Sequence, residues 1–225
     1  MNNNEFLKRL HAIVAPRTYV EIGIRHGASL SVSDAARNIA VDPRFSEEDM
    51  QYDVENVEFY KSTSDEFFAR PDVAEIAGGE IDLGYIDGLH LFEYALRDFI
   101  GLSRLSGERT VIIFDDILPR NATEADRQPT GGAWTGDVWK IVPTLRRHLP
   151  DLFERSIIAD NMPRGCLIVP FVGDAGAAIT ERYDAIVSEA LEGDMGHMPG
   201  PDVLDRVRPA DEALDALRRT LAGAA

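Results

Sequence analysis

Between residues 18 and 172, short apolar runs rich in β-branched residues alternate with stretches of helical period, and the last two runs stand only four residues apart. Such alternation builds a parallel sheet covered by helices on both faces, because each parallel strand must be reached by a crossover. The candidate strands are 18–24, 38–42, 57–61, 81–87 and 109–115, followed by 153–160 and 165–172. Residues 161–164 are too few for a crossover, so the final pair is expected to form an antiparallel hairpin. The sequence thus predicts a doubly wound α/β sheet of seven strands, five parallel and two in a terminal hairpin.

The clearest helix is 90–105, where Phe92, Ala95, Leu96, Phe99, Leu102 and Leu105 fall on one stripe with Glu93, Arg97 and Arg104 off it. Residues 29–37, 64–76 and 138–148 are further helix candidates, and 174–191 reads as one more. A loop rich in Gly, Pro and Met follows over 192–201, and Pro209 opens a terminal helix over 210–222. The expected organisation is one domain over 1–192, with 193–225 a C-terminal loop and helix packed on it. Met1 to Ala15 and the last helix are the candidate docking elements of a homo-oligomer.

A chain of 225 residues with 44% apolar content can bury one sizeable core without a second domain. No stretch approaches the roughly 18 consecutive apolar residues of a membrane span. Residues 1–5 have neither the basic start nor the apolar run of a signal peptide. A soluble, cytoplasmic protein with no membrane partner is the expectation. Cys166, the one cysteine, lies in an apolar run and reads as a small buried group. A net charge of −16 repels a phosphate backbone, which excludes nucleic acid as a partner and disfavours anionic acceptors. Arg146, Arg147 and His148, like Arg218 and Arg219, read as helix faces or ends.

Three strand ends carry the chemistry. The first, around Glu21, Gly23, Gly27 and Ser29, is a strand-to-helix turn whose glycines let the backbone approach a ligand, although such turns also need glycine for steric reasons alone. Ser29 can cap the helix expected after it. Asp42 ends the second strand, where nucleotide-binding α/β folds place a carboxylate against ribose hydroxyls; its plainer reading is a loop acid before Pro43. The glycine spacing departs from Gly-x-Gly-x-x-Gly, which favours a cofactor without a pyrophosphate. The other two ends bring Asp87 and His90, then Asp115 and Asp116, to the same sheet edge. The irregular stretch from Leu118 to Asp137, directly after the acids, reads as a substrate-facing loop.

At these residues the sequence resembles the class I S-adenosylmethionine-dependent methyltransferases, whose Rossmann-like sheet has five parallel units closed by an antiparallel hairpin. The resemblance covers residues 18 to 172. Asp87-Gly-Leu-His90 and the later Asp115-Asp116 pair resemble the divalent-metal-dependent O-methyltransferases, a group that includes the catechol, caffeoyl-coenzyme A and macrolide-sugar enzymes. The resemblance implies Mg²⁺ or another divalent cation on Asp87, Asp115 and Asp116, with His90 as general base. It implies S-adenosylmethionine as cofactor, with Glu21, Gly23 and Ser29 on its methionine part, Asp42 on its ribose, Ser64 at its adenine edge and Gly27 also among the cofactor-binding residues. Asp87 is counted among the cofactor contacts and, with His90, as catalytic.

Elementary physics points the same way for the acids. Three carboxylates on one sheet edge repel one another, and a hard dication with oxygen ligands relieves that repulsion. A hydroxyl bound to the ion has a lowered pKa, so a neutral histidine can take its proton near pH 7. The plainer alternatives are that Asp115 and Asp116 cap the following segment and that His90 only hydrogen-bonds Asp87. Trp134, Trp139 and Phe92 are candidates for an acceptor pocket, with Trp139 the better fitted to core packing beside Val142. The leading expectation is Mg-assisted O-methylation of a small hydroxylated acceptor: a sugar, polyol or phenolic compound. The alternatives are a metal-free N- or O-methyltransferase of the same fold, and a nucleotide- or NAD-binding module without methyl transfer.

Overall fold

In the computed structural model of the chain the described residues are 1–45, 50–52, 54, 56–129, 131–193, 195–196 and 198–223. Among the described residues eight strands form one sheet: β1 (Thr18–Ile22), β2 (Arg37–Val41), β3 (Val57–Tyr60), β4 (Ile81–Ile86), β5 (Ser106–Phe114), β6 (Ile157–Asp160), β7 (Cys166–Pro170) and β8 (Val207–Pro209). Their spatial order is β3-β2-β1-β4-β5-β7-β6-β8. The first five pair in parallel, and β7 runs antiparallel to both β5 and β6, as the short 161–164 connection requires. The expectation of seven strands is corrected to eight: β8 joins β6 in parallel, Val207 opposite Ile158. Three residues containing an arginine and a proline carry too little apolar pattern to announce a strand.

The helices are α1 (Asn3–Val14), α2 (Ser64–Phe68), α3 (Val73–Ile76), α4 (Phe92–Ser103), α5 (Ile141–His148), α6 (Pro150–Arg155), α7 (Ala175–Thr180), α8 (Tyr183–Glu192), α9 (Pro201–Leu204) and α10 (Ala210–Ala222). Several depart from expectation for local reasons. Residues 29–37 form no α-helix, only a single 3-10 turn at Leu30–Val32. There the Ser31 hydroxyl donates to the Ala28 carbonyl at 2.8 Å and Ser33 accepts from the Ala35 amide at 3.2 Å. Both bonds offer the backbone an alternative to helical pairing. The 64–76 candidate is two short helices with Pro71 between them, and 174–191 breaks at Glu181 and Arg182. The 153–160 strand candidate begins as the end of α6.

Side chains alternate across the sheet, so Ile112 and Phe114 of β5 face one core while Val111 and Ile113 face another. The first core receives the expected α4 stripe of Phe92, Ala95, Leu96, Phe99 and Leu102, all buried. On the other face lie α1, through Phe6, Leu7 and Leu10, and α10, through Ala213, Leu214 and Leu217, against Tyr19, Leu83 and Tyr85. Both elements named as candidates for docking a second copy are thus packed within the chain. Asn2 caps α1 by accepting from the Glu5 amide at 2.9 Å. Cys166 is buried, and burial pushes its thiol well above the ordinary range, in keeping with a packing role. Among the described residues no helix is long and apolar enough to cross a membrane.

Candidate functional site

Parallel pairing of β1, β4 and β5 puts Ile22 opposite Ile86 and Ile86 opposite Phe114, so the residues that leave these strands stand in a row. The exits are tied to the neighbouring strand: the Asp87 amide donates to the Ile22 carbonyl at 2.9 Å and the Asp115 amide to the Ile86 carbonyl at 3.0 Å. Gly23 adopts φ +86°, and a Cβ there would stand 2.2 Å from the Asp87 carbonyl oxygen. Its glycine is therefore required by the close approach of the turn after β4, whatever else it does. The two turns form one surface through that contact.

On the acid side, His90 sits between two carboxylates. Its Nε2 is 3.2 Å from Asp87 Oδ1, and its Nδ1 is 3.2 Å from Asp116 Oδ2 and 2.9 Å from the Trp134 carbonyl oxygen. Burial pulls the imidazole pKa down, but Asp87, Asp116 and that carbonyl outweigh it and hold His90 up at about 9. Asp116 is raised to about 6, by burial first and then by the charge of Asp87. It adopts φ +60°, a left-handed conformation that turns its carboxylate toward His90.

Asp115, expected as a third metal ligand, is placed differently. Its Oδ2 accepts from Tyr85 Oη and from Asn3 Nδ2, the latter at 3.0 Å, and its Oδ1 accepts from the Asp116 amide at 2.9 Å. Burial, then the charges of Asp87 and Asp116, raise its pKa well above the carboxylate range. The atoms brought within 4.8 Å of one another belong to Asp87, His90 and Asp116. Two carboxylates and an imidazole, with the charge of Arg164 also felt at Asp116, are a donor set that fits a divalent cation.

On the glycine side, Glu21 is fully buried and accepts from Tyr19 Oη at 2.8 Å and from the Ser29 hydroxyl. Burial pushes its carboxyl up to about 8, against the pull of those two hydrogen bonds. Gly27 closes the turn by donating to the Ile24 carbonyl at 2.7 Å. Asp42 is turned onto that loop: its carboxylate accepts from the amides of Ile24 at 3.1 Å, Arg25 at 3.2 Å and Arg44 at 2.7 Å. Ser64, the first residue of α2, hydrogen-bonds Asp98 of α4. Asp98 is not marked as a site residue by the sequence; it is buried, its pKa is raised to about 7 mainly by that burial, and its Oδ1 has no hydrogen-bond partner among the described residues.

The 118–137 loop covers the acid side. Glu124 organises it, its side chain accepting from Arg164 at 3.0 Å and its carbonyl from the amides of Thr135 and Gly136. Trp134 stacks on His90 with ring centroids 5.3 Å apart, and Asp137 accepts from the Phe92 amide at 2.8 Å. Gly136 is pressed so closely on His90 that a Cβ would meet its carbonyl oxygen at 1.6 Å. Trp139 and Phe92 are buried in the core. Tyr85 and Asn3 are likewise residues of the site that sequence reasoning misses. A polar group at the end of a buried run is the available signal for Tyr85; nothing local announces Asn3.

Residues 20–117 match the family described as a methyltransferase domain. No curated protein matches the sequence. Among solved structures, cofactor-bound Rv0187 from MTB is 15% identical with a TM-score of 0.51, over 77% of this chain and 82% of that one. The SAH-bound methyltransferase PaMTH1 of Podospora anserina is 12% identical with a TM-score of 0.50, over 75% and 77% of the two chains. The O-methyltransferase from Bacillus cereus in complex with SAH is 18% identical with a TM-score of 0.49, over 75% and 80%. The first two likenesses establish a common fold.

Proposed function

We propose, from the match of residues 20–117 to a methyltransferase domain, that the chain uses S-adenosylmethionine to methylate a hydroxyl group of a small acceptor with the help of a divalent cation. The observation that carries this reading is the Asp87, His90 and Asp116 cluster beside the Gly23 turn. Glu21, Ser29 and the Gly23 to Gly27 turn hold the methionine end of the cofactor, Asp42 its ribose, and Ser64 its adenine edge. Buried Glu21 is suited to an ammonium, because a cation would stabilise its charged form. S-adenosylmethionine, when bound, would supply an electrophilic methyl and leave as a neutral thioether.

Asp87 and Asp116 would hold the cation, Mg²⁺ or another divalent ion, whose chemistry would be to lower the pKa of an acceptor hydroxyl. Asp115, already committed to three donors, supports them from behind. The same two carboxylates keep His90 protonated when nothing else neutralises them. With those carboxylates neutralised, His90 would return toward its ordinary pKa and its Nε2 would be free to take the acceptor's hydroxyl proton. The acceptor oxygen then bonds the methyl carbon as the carbon–sulfur bond breaks. Trp134 offers an aromatic wall beside that position, suited to a sugar or phenolic ring.

The test combines binding and turnover. Saturating S-adenosylhomocysteine should raise Tm by about 5–10 °C, the shift that some 100 Kd of ligand gives a domain of this size. Methyl transfer to a panel of diols, sugars and catechols should vanish in excess EDTA and return with Mg²⁺ or Mn²⁺. Full turnover in EDTA would remove the cation and favour the metal-free alternative, while NADH binding without S-adenosylhomocysteine binding would sink methyl transfer altogether.

A further inference from the structure

We infer that Asn3, at the start of α1, is a positioning residue for the acid cluster, fixing the geometry in which Asp116 meets a cation. The inference rests on the cation reading above and concerns a residue far from the others in sequence. Asn161 Nδ2 donates to Asn3 Oδ1 at 2.8 Å, which fixes the orientation of the Asn3 amide. Asn3 Nδ2 then donates to Tyr85 Oη at 2.9 Å and to Asp115 Oδ2 at 3.0 Å, and Tyr85 donates to the same Asp115 oxygen. With Oδ2 so held, Asp115 Oδ1 accepts the Asp116 amide at 2.9 Å. That last bond constrains the left-handed turn at Asp116, a conformation with a cost of its own for a residue with a Cβ.

A relay therefore runs from the α1 terminus through Asp115 to the backbone of a proposed ligand. It is anchored at its outer end as well: the Met162 amide donates to the Met1 carbonyl at 2.9 Å, so the first residues are fastened to the turn between β6 and β7. Partners standing behind ligating groups set their orientation, and losing one costs about 10–100-fold in metal affinity.

Asn3→Asp separates this role from a merely structural one. The substitution keeps shape, and an acid in the first turn of a helix is favourable, so α1 should remain docked. Added negative charge near a cation site would by itself tighten binding. Loss of the Nδ2 donor, with a carboxylate now facing Asp115, should instead weaken it. Mn²⁺ titrated into the full chain, with free ion read by electron paramagnetic resonance, should bind Asn3→Asp about 10–100-fold more weakly than wild type. S-adenosylhomocysteine affinity should stay unchanged. Tyr85→Phe removes the other donor to the same oxygen and should shift Mn²⁺ affinity in the same direction, which keeps the inference testable if Asn3→Asp does not fold. Wild-type affinity in the folded variants, or tighter binding, overturns the inference alone. A wild-type protein that takes up no Mn²⁺ overturns the cation reading and this inference with it.

Discussion

Asp42 and Asp116 are both carboxylates just beyond a strand end on the same sheet edge, and they are held in opposite ways. Asp42 accepts three backbone amides, which orient it within the protein and shape the glycine turn. Asp116 stands in a strained backbone conformation across His90 from Asp87, with Asp115 behind it, and burial and like charge lift its pKa to about 6. A region whose polar groups are satisfied internally gives a fixed shape to bind against. A region whose charges oppose one another is completed only by a proton or a cation, which is how sites with shifted pKa values are built. The glycine side is thus suited to holding, and the acid side to reacting.

The sharpest way to break this division is His90→Ala. Removing a general base lowers kcat by about 10²–10⁴-fold, and S-adenosylhomocysteine affinity measured by calorimetry should not change. An equal loss in affinity would mean that the two regions do not divide the work. Gly23→Ala attacks the contact that joins them. A Cβ beside the Asp87 carbonyl, at positive φ, should cost about 3 kcal/mol, read as a lower Tm, and should weaken both cofactor and cation binding.

A pH slope is expected on the glycine side. Burial raises Glu21 from 4.5 to about 8 in the folded protein, so the folded state holds this proton more tightly than the unfolded chain. Its contribution to stability is full below pH 4.5 and is lost as pH rises to about 8. Tm of the cofactor-free protein minus that of Glu21→Gln should fall across this window; a constant difference would place the titration elsewhere. The same substitution should weaken S-adenosylhomocysteine more than it slows kcat.

How much of the molecule is legible in its sequence depends on the range of the interactions involved. The strands that position the site are continuous apolar runs, and a run of Val, Ile and Phe ending in Asp is recognisable without tertiary information. α4 is equally plain, from its stripe. α1 is not among the helices expected from the sequence, and its contribution to the site rests on one Asn3 amide reaching residues 82 and 112 positions away. The same limit applies to Asp115. Neighbouring acids look equivalent in a sequence, and only the fold decides that one turns back to Tyr85 while the next faces His90. Asp98 lies on the buried stripe side of α4, where a carboxylate among hydrophobic residues gives no sign of its partner in α2.

The contact between Gly136 and the His90 carbonyl divides the covering loop into two parts with different freedom to vary. Exchange of residues before Trp134, with Glu124 and Arg127 kept for their bonds to Arg164, Thr135, Gly136, Glu93 and Asp137, changes what the loop presents outward. Exchange at 134–137 changes the bed on which His90 rests, through the Trp134 ring, the Gly136 backbone and the Asp137 bond to Phe92. Grafting a foreign loop to alter acceptor preference would therefore need its downstream splice before residue 134, so that the native hinge to the histidine travels with the scaffold.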